Sequence, residues 1–153
     1  SHGEQMRWTT PAGMPVTQHY RSQKPVRLRT VLQSISMLND SSNAPLDLAR
    51  QRRAFAPNFV QSIDASHMAM SVDAARREGL TVASVHDSFW THGCDIPKLR
   101  SILLNQFADL HRRSLLWTLH QDMLARHPFE IPAPPALGSY DIEEAREATY
   151  AFI

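Results

Sequence analysis

The pattern of apolar and polar positions predicts a strand-rich front and a largely helical remainder. Residues 14–21 and 25–32 show short apolar and polar alternations, which predict a hairpin or extended arm joined through the basic segment 21–24. The Ser, Asn, Asp and Pro residues of segment 38–46 are typical of a loop. We therefore expect paired strands before the first helix.

Three helices are predicted behind this front. The first runs from about Pro57 to Glu78, because proline is preset for a first helical turn and Gly79 fits the stop. The second begins after Asp95, a good N-cap residue, with Pro97 in its first turn. Two apolar stripes, which should face a core or a partner, consist of Ile96, Leu99, Leu103, Phe107 and Leu110, and of Leu115, Leu116, Leu119 and Met123.

The C-terminal segment combines a stiff connector with an apolar end. Residues 128–137 are rich in proline, and a short acidic helix is predicted over about Asp141–Ala148. The last four residues, 150–153, are mostly apolar, so we expect Phe152 and Ile153 to dock rather than dangle. These patterns divide the chain into a basic hairpin or arm, a central segment and a connector with a docking tail, at residues 1–46, 47–127 and 128–153.

The stretch VHDSFWTH, residues 85–92, holds the strongest chemical candidate. The run 80–87 predicts a buried strand, and a tight turn at Asp87-Ser88 would let a second strand return. A carboxylate at the tip of a buried strand is costly unless it is paired or binds a metal, and Mg²⁺ is the hard ion that carboxylates favour. The alternative is a β-turn in which Asp and Ser make only local hydrogen bonds.

Two other chemistries fit the spacing poorly. A zinc site from the histidines and the single Cys94 lacks the i, i+4 spacing of helical ligands, and a lone cysteine excludes an internal disulfide. A nucleophile at Ser88 or Cys94 lacks the GxSxG elbow and a group that would orient its base.

Charge adds a second candidate surface. The chain of 153 residues has a net charge of +1, but residues 1–53 hold eight Lys and Arg against three Asp and Glu. A basic two-stranded ribbon fits the major groove of DNA, whereas the alternative is an edge hairpin protected by positive charge. The candidate residues are Tyr20, Arg21, Lys24, Arg27 and Arg29. No apolar stretch is long enough for a membrane helix, so no membrane partner is expected.

Four ordered blocks resemble one family over nearly the whole chain. They are WTTPAGMPVTQHY at residues 8–20, APNFVQSIDASHM at residues 56–68, VHDSFWTH at residues 85–92, and the aromatic and apolar tail. Together they are similar to the C-terminal part of the single-subunit, bacteriophage-type RNA polymerases, the group that includes mitochondrial and plastid enzymes.

The resemblance implies an α+β fold: the C-terminal part of a polymerase palm, mainly helical, with a β-hairpin carrying the family's motif C and an N-terminal basic hairpin. Asp87 would be one of two carboxylates that hold catalytic Mg²⁺, with His86 beside it and His67 near the nucleic acid. The segment from about Pro15 to Ser36 would match the promoter-specificity hairpin, which favours DNA contact by its arginines. Phe152 and Ile153 would pack back towards the active site, and the location would be mitochondrial, although no transit peptide is visible.

Two departures limit what the resemblance implies. Gln61 stands where the family usually has histidine, and the motifs for the second carboxylate and for nucleotide binding lie upstream of these residues in the family. We therefore expect nucleotidyltransferase activity only when a complementary polymerase chain or region supplies them, acting on a DNA template and RNA. The alternatives are a non-catalytic structural subunit of a large mitochondrial ribonucleoprotein, such as a mitoribosome, and a stand-alone nucleic-acid-binding module.

Overall fold

The structure is a computed structural model that describes residues 4–22, 25–38, 44–85, 87–127 and 130–149. It combines helices with small antiparallel hairpins, so the predicted α+β class is confirmed. In chain order the elements are β1 (Arg7–Thr9), β2 (Pro15–Thr17), β3 (Pro25–Arg29), β4 (Ser34–Leu38), α1 (Leu48–Arg77), β5 (Val82–Val85), β6 (Ser88–Thr91), a 3₁₀ turn (Gly93–Asp95), α2 (Ile96–His111), α3 (Leu115–Arg126) and a 3₁₀ helix (Ile142–Glu147).

The chain forms two compact units. The first comprises Ser1–Arg7 and Thr17–Asn58, and the second comprises Trp8–Val16 and Phe59–Ile153. In the first unit Gln18 and Gln51 are both buried and donate to each other's backbone carbonyls, at 3.3 Å and 2.9 Å. This reciprocal pairing gives each side-chain amide nitrogen a partner, whereas the two Oε1 atoms are buried without a hydrogen-bond partner.

Strand pairing in the front of the chain differs from the prediction. Strand β3 pairs with β4, whereas β2 pairs with β1, so the expected hairpin between residues 14–21 and 25–32 is wrong. The reason lies in the turn, where Thr30 and Gln33 close the β3–β4 connection. The Thr30 amide donates to the Gln33 carbonyl at 2.9 Å, and the Thr30 hydroxyl oxygen accepts from the Gln33 amide at 3.1 Å.

Helix α1 begins earlier than predicted. It includes Pro57 in its interior, so the expected start at that residue is wrong. Asp47 precedes the first turn instead: its carboxylate accepts from the Arg50 amide at 2.9 Å and its carbonyl accepts from the Gln51 amide at 2.9 Å. This capping arrangement satisfies free amides of the first turn, so the helix begins at Leu48 and contains Pro57 in its interior.

The end of α1 confirms the predicted stop. Gly79 has a φ of +74°, in the left-handed region that glycine adopts without strain. Its amide donates to the Arg76 carbonyl and the Leu80 amide donates to the Ala75 carbonyl, both at 3.0 Å. These two bonds form a Schellman motif, which turns the chain sharply into β5.

The core of the second unit lies between α1, α2 and the β5–β6 hairpin. Its buried cluster comprises Ala75, Leu99, Ile102 and Leu103, with partly buried neighbours that include Val82 and Phe89. The predicted α2 stripe is largely confirmed, although Ile96 at its start is exposed. Asp95 precedes α2 as expected, but its side chain makes no capping hydrogen bond.

Buried Trp8 connects the first two sequence blocks within this unit. Its indole Nε1 donates to the Ser62 hydroxyl at 3.0 Å, and its ring lies edge-on to Phe59 at 6.3 Å between centroids. Helix α3 is described along its whole length and has no buried residue, with Leu116 and Trp117 exposed. Its apolar stripe therefore finds only partial cover within the described chain.

The C-terminal segment is held against α2 by arginines. The predicted acidic helix is present as the 3₁₀ helix Ile142–Glu147, and Arg146 donates to Asp109, Glu143 and the Asn105 side chain, each at 2.7 Å. The predicted docking tail, residues 150–153, lies outside the described residues. Within the described ranges, no helix is long and apolar enough to cross a membrane.

Candidate functional site

The β5–β6 hairpin places Asp87 at its tip. Val85 pairs with Ser88, so only residues 86 and 87 connect the strands. The predicted order of strand, turn and strand is confirmed, but Ser88, which was predicted in the turn, is the first residue of β6. The predicted burial of the first strand is wrong, because Ala83 and Val85 are exposed, Val85 by 50%. Only the other face, with Val82 and Phe89, packs on the core. His86 lies outside the described residues.

Asp87 opens onto a cleft of about 630 Å³, here called the Asp87 cleft. Helix α1 supplies Asp64 and His67, the hairpin supplies Asp87 and Phe89, and α2 supplies Phe107 and His111. Asp64 and His67 share a face of α1, as their spacing of three predicted. The other acidic residue considered from the sequence, Asp95, is not among the cleft residues.

The two cleft carboxylates match the preference of Mg²⁺ for oxygen ligands. Asp64 and Asp87 are both exposed, so solvent and ligands can reach them. Among the described residues, no group of three or more His, Cys, Asp or Glu is placed to hold a metal ion. The described cleft therefore contains two exposed carboxylates but, among the described residues, no group that could hold a metal ion by itself.

His67 forms part of the cleft floor. It is 8% exposed, and its Nε2 lies 3.0 Å from the Leu103 carbonyl. Because a carbonyl only accepts, Nε2 carries the proton and donates. The ring stands edge-on to Phe89 and Phe107, at 6.3 Å and 5.8 Å. Burial is the main cause that lowers the pKa of His67, and the positive charge of His111 lowers it further, so the neutral ring is favoured.

The cleft contains one imidazole that sequence reasoning missed, His111. Its Nδ1 donates to the Phe107 carbonyl at 2.9 Å, and its ring stacks on Phe107 with centroids 4.2 Å apart. The spacing of four residues on α2 was a visible signal for this local contact. Its presence in the same cleft as Asp87 depends on the packing of the helices and was not visible in the sequence.

Two of the residues predicted to bind nucleic acid, Tyr20 and Arg21, make contacts within the first unit. The Tyr20 hydroxyl accepts from Asn58 at 3.1 Å, and the guanidinium of Arg50 lies 4.7 Å from the centre of the Tyr20 ring. Arg21 donates to the Ala44 carbonyl at 2.7 Å. Both side chains therefore have structural contacts in place.

Arg27 and Arg29 are placed differently. Both are exposed and share one face of the β3–β4 hairpin, opposite Ser36 and Ser34. The other face carries apolar side chains, so the hairpin has one basic and hydroxyl face and one apolar face. Lys24 lies outside the described residues. The structure thus brings two of the predicted arginines together on one accessible surface.

The chain belongs to the DNA-dependent RNA polymerase family, whose model matches residues 1–130, and the predicted family is thereby confirmed. It is 40% identical over 153 residues to DNA-directed RNA polymerase 2B, chloroplastic/mitochondrial, of Nicotiana tabacum, covering 99% of this chain and 15% of that protein. The identity to DNA-directed RNA polymerase 2A of Nicotiana tabacum is also 40%, over 99% of this chain and 46% of that protein.

DNA-directed RNA polymerase 1, mitochondrial, of Arabidopsis thaliana is 39% identical over 146 residues, which cover 95% of this chain and 15% of that protein. The chain therefore spans less than half the length of each of these three relatives.

Proposed function

We propose that this chain provides the motif C hairpin and the C-terminal palm segment of an organellar DNA-directed RNA polymerase. The observation that carries the proposal is the position of Asp87, at the tip of a two-residue connection and on the cleft. Membership of the polymerase family supports it. Residues outside this sequence would complete the active site.

In this proposal Asp87 supplies carboxylate oxygens to Mg²⁺. A pair of such ions would activate the 3′ hydroxyl of the RNA and stabilise the leaving pyrophosphate during nucleotidyl transfer. The second carboxylate would come from the upstream part of the polymerase. Asp64 shares the cleft and is the internal candidate for an auxiliary acidic role, while His86 would flank Asp87 beside the primer end.

The remaining predicted residues take supporting roles. His67 would position α1 against α2 beneath the nucleic acid, through its bond to the Leu103 carbonyl. Arg27 and Arg29, with Lys24, would contact template or promoter DNA from the basic face of the β3–β4 hairpin. Tyr20 and Arg21 would support the base of that arm.

The organisation and location follow the same proposal. Residues 1–46 would act as the DNA-contacting arm, 47–127 as the palm segment, and 128–153 as the connector and tail that docks near the active site. The names of the relatives place them in mitochondria or chloroplasts, so either organelle is proposed for this chain. Its partners would be the complementary polymerase region, the DNA template and the RNA product.

Complementation tests this function. The chain is combined with a polymerase polypeptide that lacks the matching segment, and Mg²⁺-dependent RNA synthesis is measured. Asp87→Asn should lower the rate by about 10³-fold, since the metal would lose a charged ligand in the transition state. Asp95→Asn is the matched control, because Asp95 makes no side-chain capping bond and lies outside the cleft residues.

Equal rates for Asp87→Asn and Asp95→Asn would overturn the metal role. If complementation restores no synthesis, and the chain instead co-purifies with a large ribonucleoprotein that lacks the complementary polymerase part, the structural-subunit alternative replaces this proposal. Salt-sensitive binding by residues 1–53 alone, without either result, would favour the stand-alone module.

A further inference from the structure

The described part of the Asp87 cleft has few side chains that could bind a polyanion. The described residues that line it include two carboxylates, Asp64 and Asp87, and no lysine or arginine. Gln61 offers a neutral amide. A nucleic-acid strand in this cleft would bring phosphates close to acidic side chains, so hydrogen-bond donors there would matter for its position.

The two imidazoles of the cleft differ in what they can offer. His67 is buried, and its Nε2 is used by the Leu103 carbonyl. His111 is only partly buried, and it is Nδ1 that is held, by the Phe107 carbonyl at 2.9 Å. Stacking on Phe107 further restricts the ring. The helix contact therefore uses Nδ1 of the His111 ring and does not use Nε2.

His111 is the last residue of α2, so its ring lies at the carbonyl end of that helix. A protonated ring can donate from both nitrogens at once, with Nδ1 to the helix and Nε2 to a ligand. A charge-assisted bond to phosphate is stronger than a bond between neutral groups.

We propose that His111 is a further nucleic-acid contact of the cleft, whose Nε2 donates a hydrogen bond to a phosphate oxygen of the bound strand. The inference rests on the proposed function, since that function brings a strand to Asp87. The competing interpretation is purely structural: His111 would only cap the end of α2 through Nδ1.

Two substitutions separate these interpretations, because each amide imitates one imidazole nitrogen. His111→Asn places an amide near the position of Nδ1 and can keep the bond to the Phe107 carbonyl. His111→Gln places its amide near the position of Nε2 and can keep a bond to phosphate. His111→Phe keeps the aromatic contact with Phe107 and loses both nitrogens.

The measurement is the Kd of the complemented polymerase for an RNA–DNA primer–template. We expect His111→Gln to bind within about twofold of the unchanged chain, and His111→Asn and His111→Phe to bind about tenfold more weakly, the loss typical of one charge-assisted hydrogen bond. The reverse order, with Asn normal and Gln impaired, would show a structural cap and overturn the inference. Equal affinities for all variants would overturn it as well.

A neutral linkage identifies the contacted group. Primers carrying a methylphosphonate at one of their last linkages are bound to the unchanged chain and to His111→Phe. At one of these linkages, the methylphosphonate should weaken binding of the primer to the unchanged chain about tenfold. Binding to His111→Phe should be unaffected. Additive losses at every linkage would exclude a phosphate contact, and a loss caused by a 2′-deoxy sugar instead would assign a ribose contact. These binding measurements do not depend on catalysis. Failure of the proposed role of Asp87 would be seen in a different experiment, in which RNA synthesis would survive Asp87→Asn.

Discussion

The chain contains two hairpins that carry candidate functional residues, and they differ in what supports them. The β5–β6 hairpin packs one face on the core through Val82 and Phe89. The β3–β4 hairpin is exposed on both faces, so its apolar side chains, including Leu28, have little cover within the described chain. A two-stranded hairpin without such packing is only marginally stable in water.

This difference separates two kinds of function. Asp87 follows a strand whose register and core packing its own unit provides, and the proposed role as a metal ligand would require such support. Arg27 and Arg29 lie on the β3–β4 hairpin, and we expect a binding partner to fix the geometry of that hairpin. We expect substitutions near Asp87 to act through folding as well as chemistry, and those on β3–β4 to act mainly through binding.

The same substitution at two leucines should give the largest contrast in stability. Leu103→Ala removes a side chain that is 4% exposed in the core cluster, and should lower the free energy of unfolding by about 2–5 kcal/mol. Leu28→Ala, at a position that is 50% exposed, should cost less than about 1 kcal/mol. Urea unfolding followed by circular dichroism measures both. Similar losses would show that β3–β4 is packed as firmly as the core.

The lowered pKa of His67 predicts a smaller change in the free energy of unfolding, which depends on pH. Its pKa is lowered in the folded chain, chiefly by burial, so the unfolded chain binds a proton more readily. Its contribution to stability is therefore complete above the unfolded pKa of about 6.5. It is lost as the pH falls from there through the lower folded pKa, by at most about 1.4 kcal/mol per pH unit.

The unfolding free energy measured between pH 8 and pH 5 checks this dependence. His67→Gln should flatten the decline below about pH 6.5, where the reference His pKa lies. The control His92→Gln changes an exposed histidine beyond β6 and should keep the slope. A slope that is unchanged in His67→Gln would mean that another group titrates.

The features predicted correctly from sequence depend on local signals. Gly79 ends α1 because glycine adopts the left-handed conformation that the Schellman motif needs, and the β5–β6 turn depends on neighbouring residues. The start of α1 was misplaced because Pro57 and Asp47 both carry helix-start signals, and the sequence does not show which one prevails. The pairing of β3 with β4 was missed because alternation alone fixes no partner.

The residues of the candidate site also differ in whether local sequence signals predicted them. Asp87 was visible as a polar residue at a strand end, and the shared face of Asp64 and His67 followed from their spacing. The place of His111 in the cleft requires α1 to pack against α2, so no local pattern contained it. The structural contact of Arg21 with the Ala44 carbonyl is likewise non-local, and no sequence pattern separates Arg21 from Arg27.

Arginine substitutions on the exposed hairpin should have the smallest and most specific effects. Arg27→Ala and Arg29→Ala should each weaken DNA binding several-fold and reduce the salt dependence of log K by about one unit for each phosphate that the variant no longer neutralises. Arg21→Ala should instead lower stability by about 0.5–1.5 kcal/mol, since it removes the donor to the Ala44 carbonyl, and should leave the salt slope intact.

Binding measured between about 50 and 200 mM salt, a range over which affinity from phosphate contacts falls steeply, distinguishes these effects. Ser34→Ala is the control on the same face, because it removes a hydroxyl opposite Arg29 without changing charge. If Arg21→Ala changes the salt slope as much as Arg27→Ala does, the structural role of Arg21 is wrong. A side chain already bonded within its unit would then be contributing to binding in the same way as the exposed arginines of β3–β4.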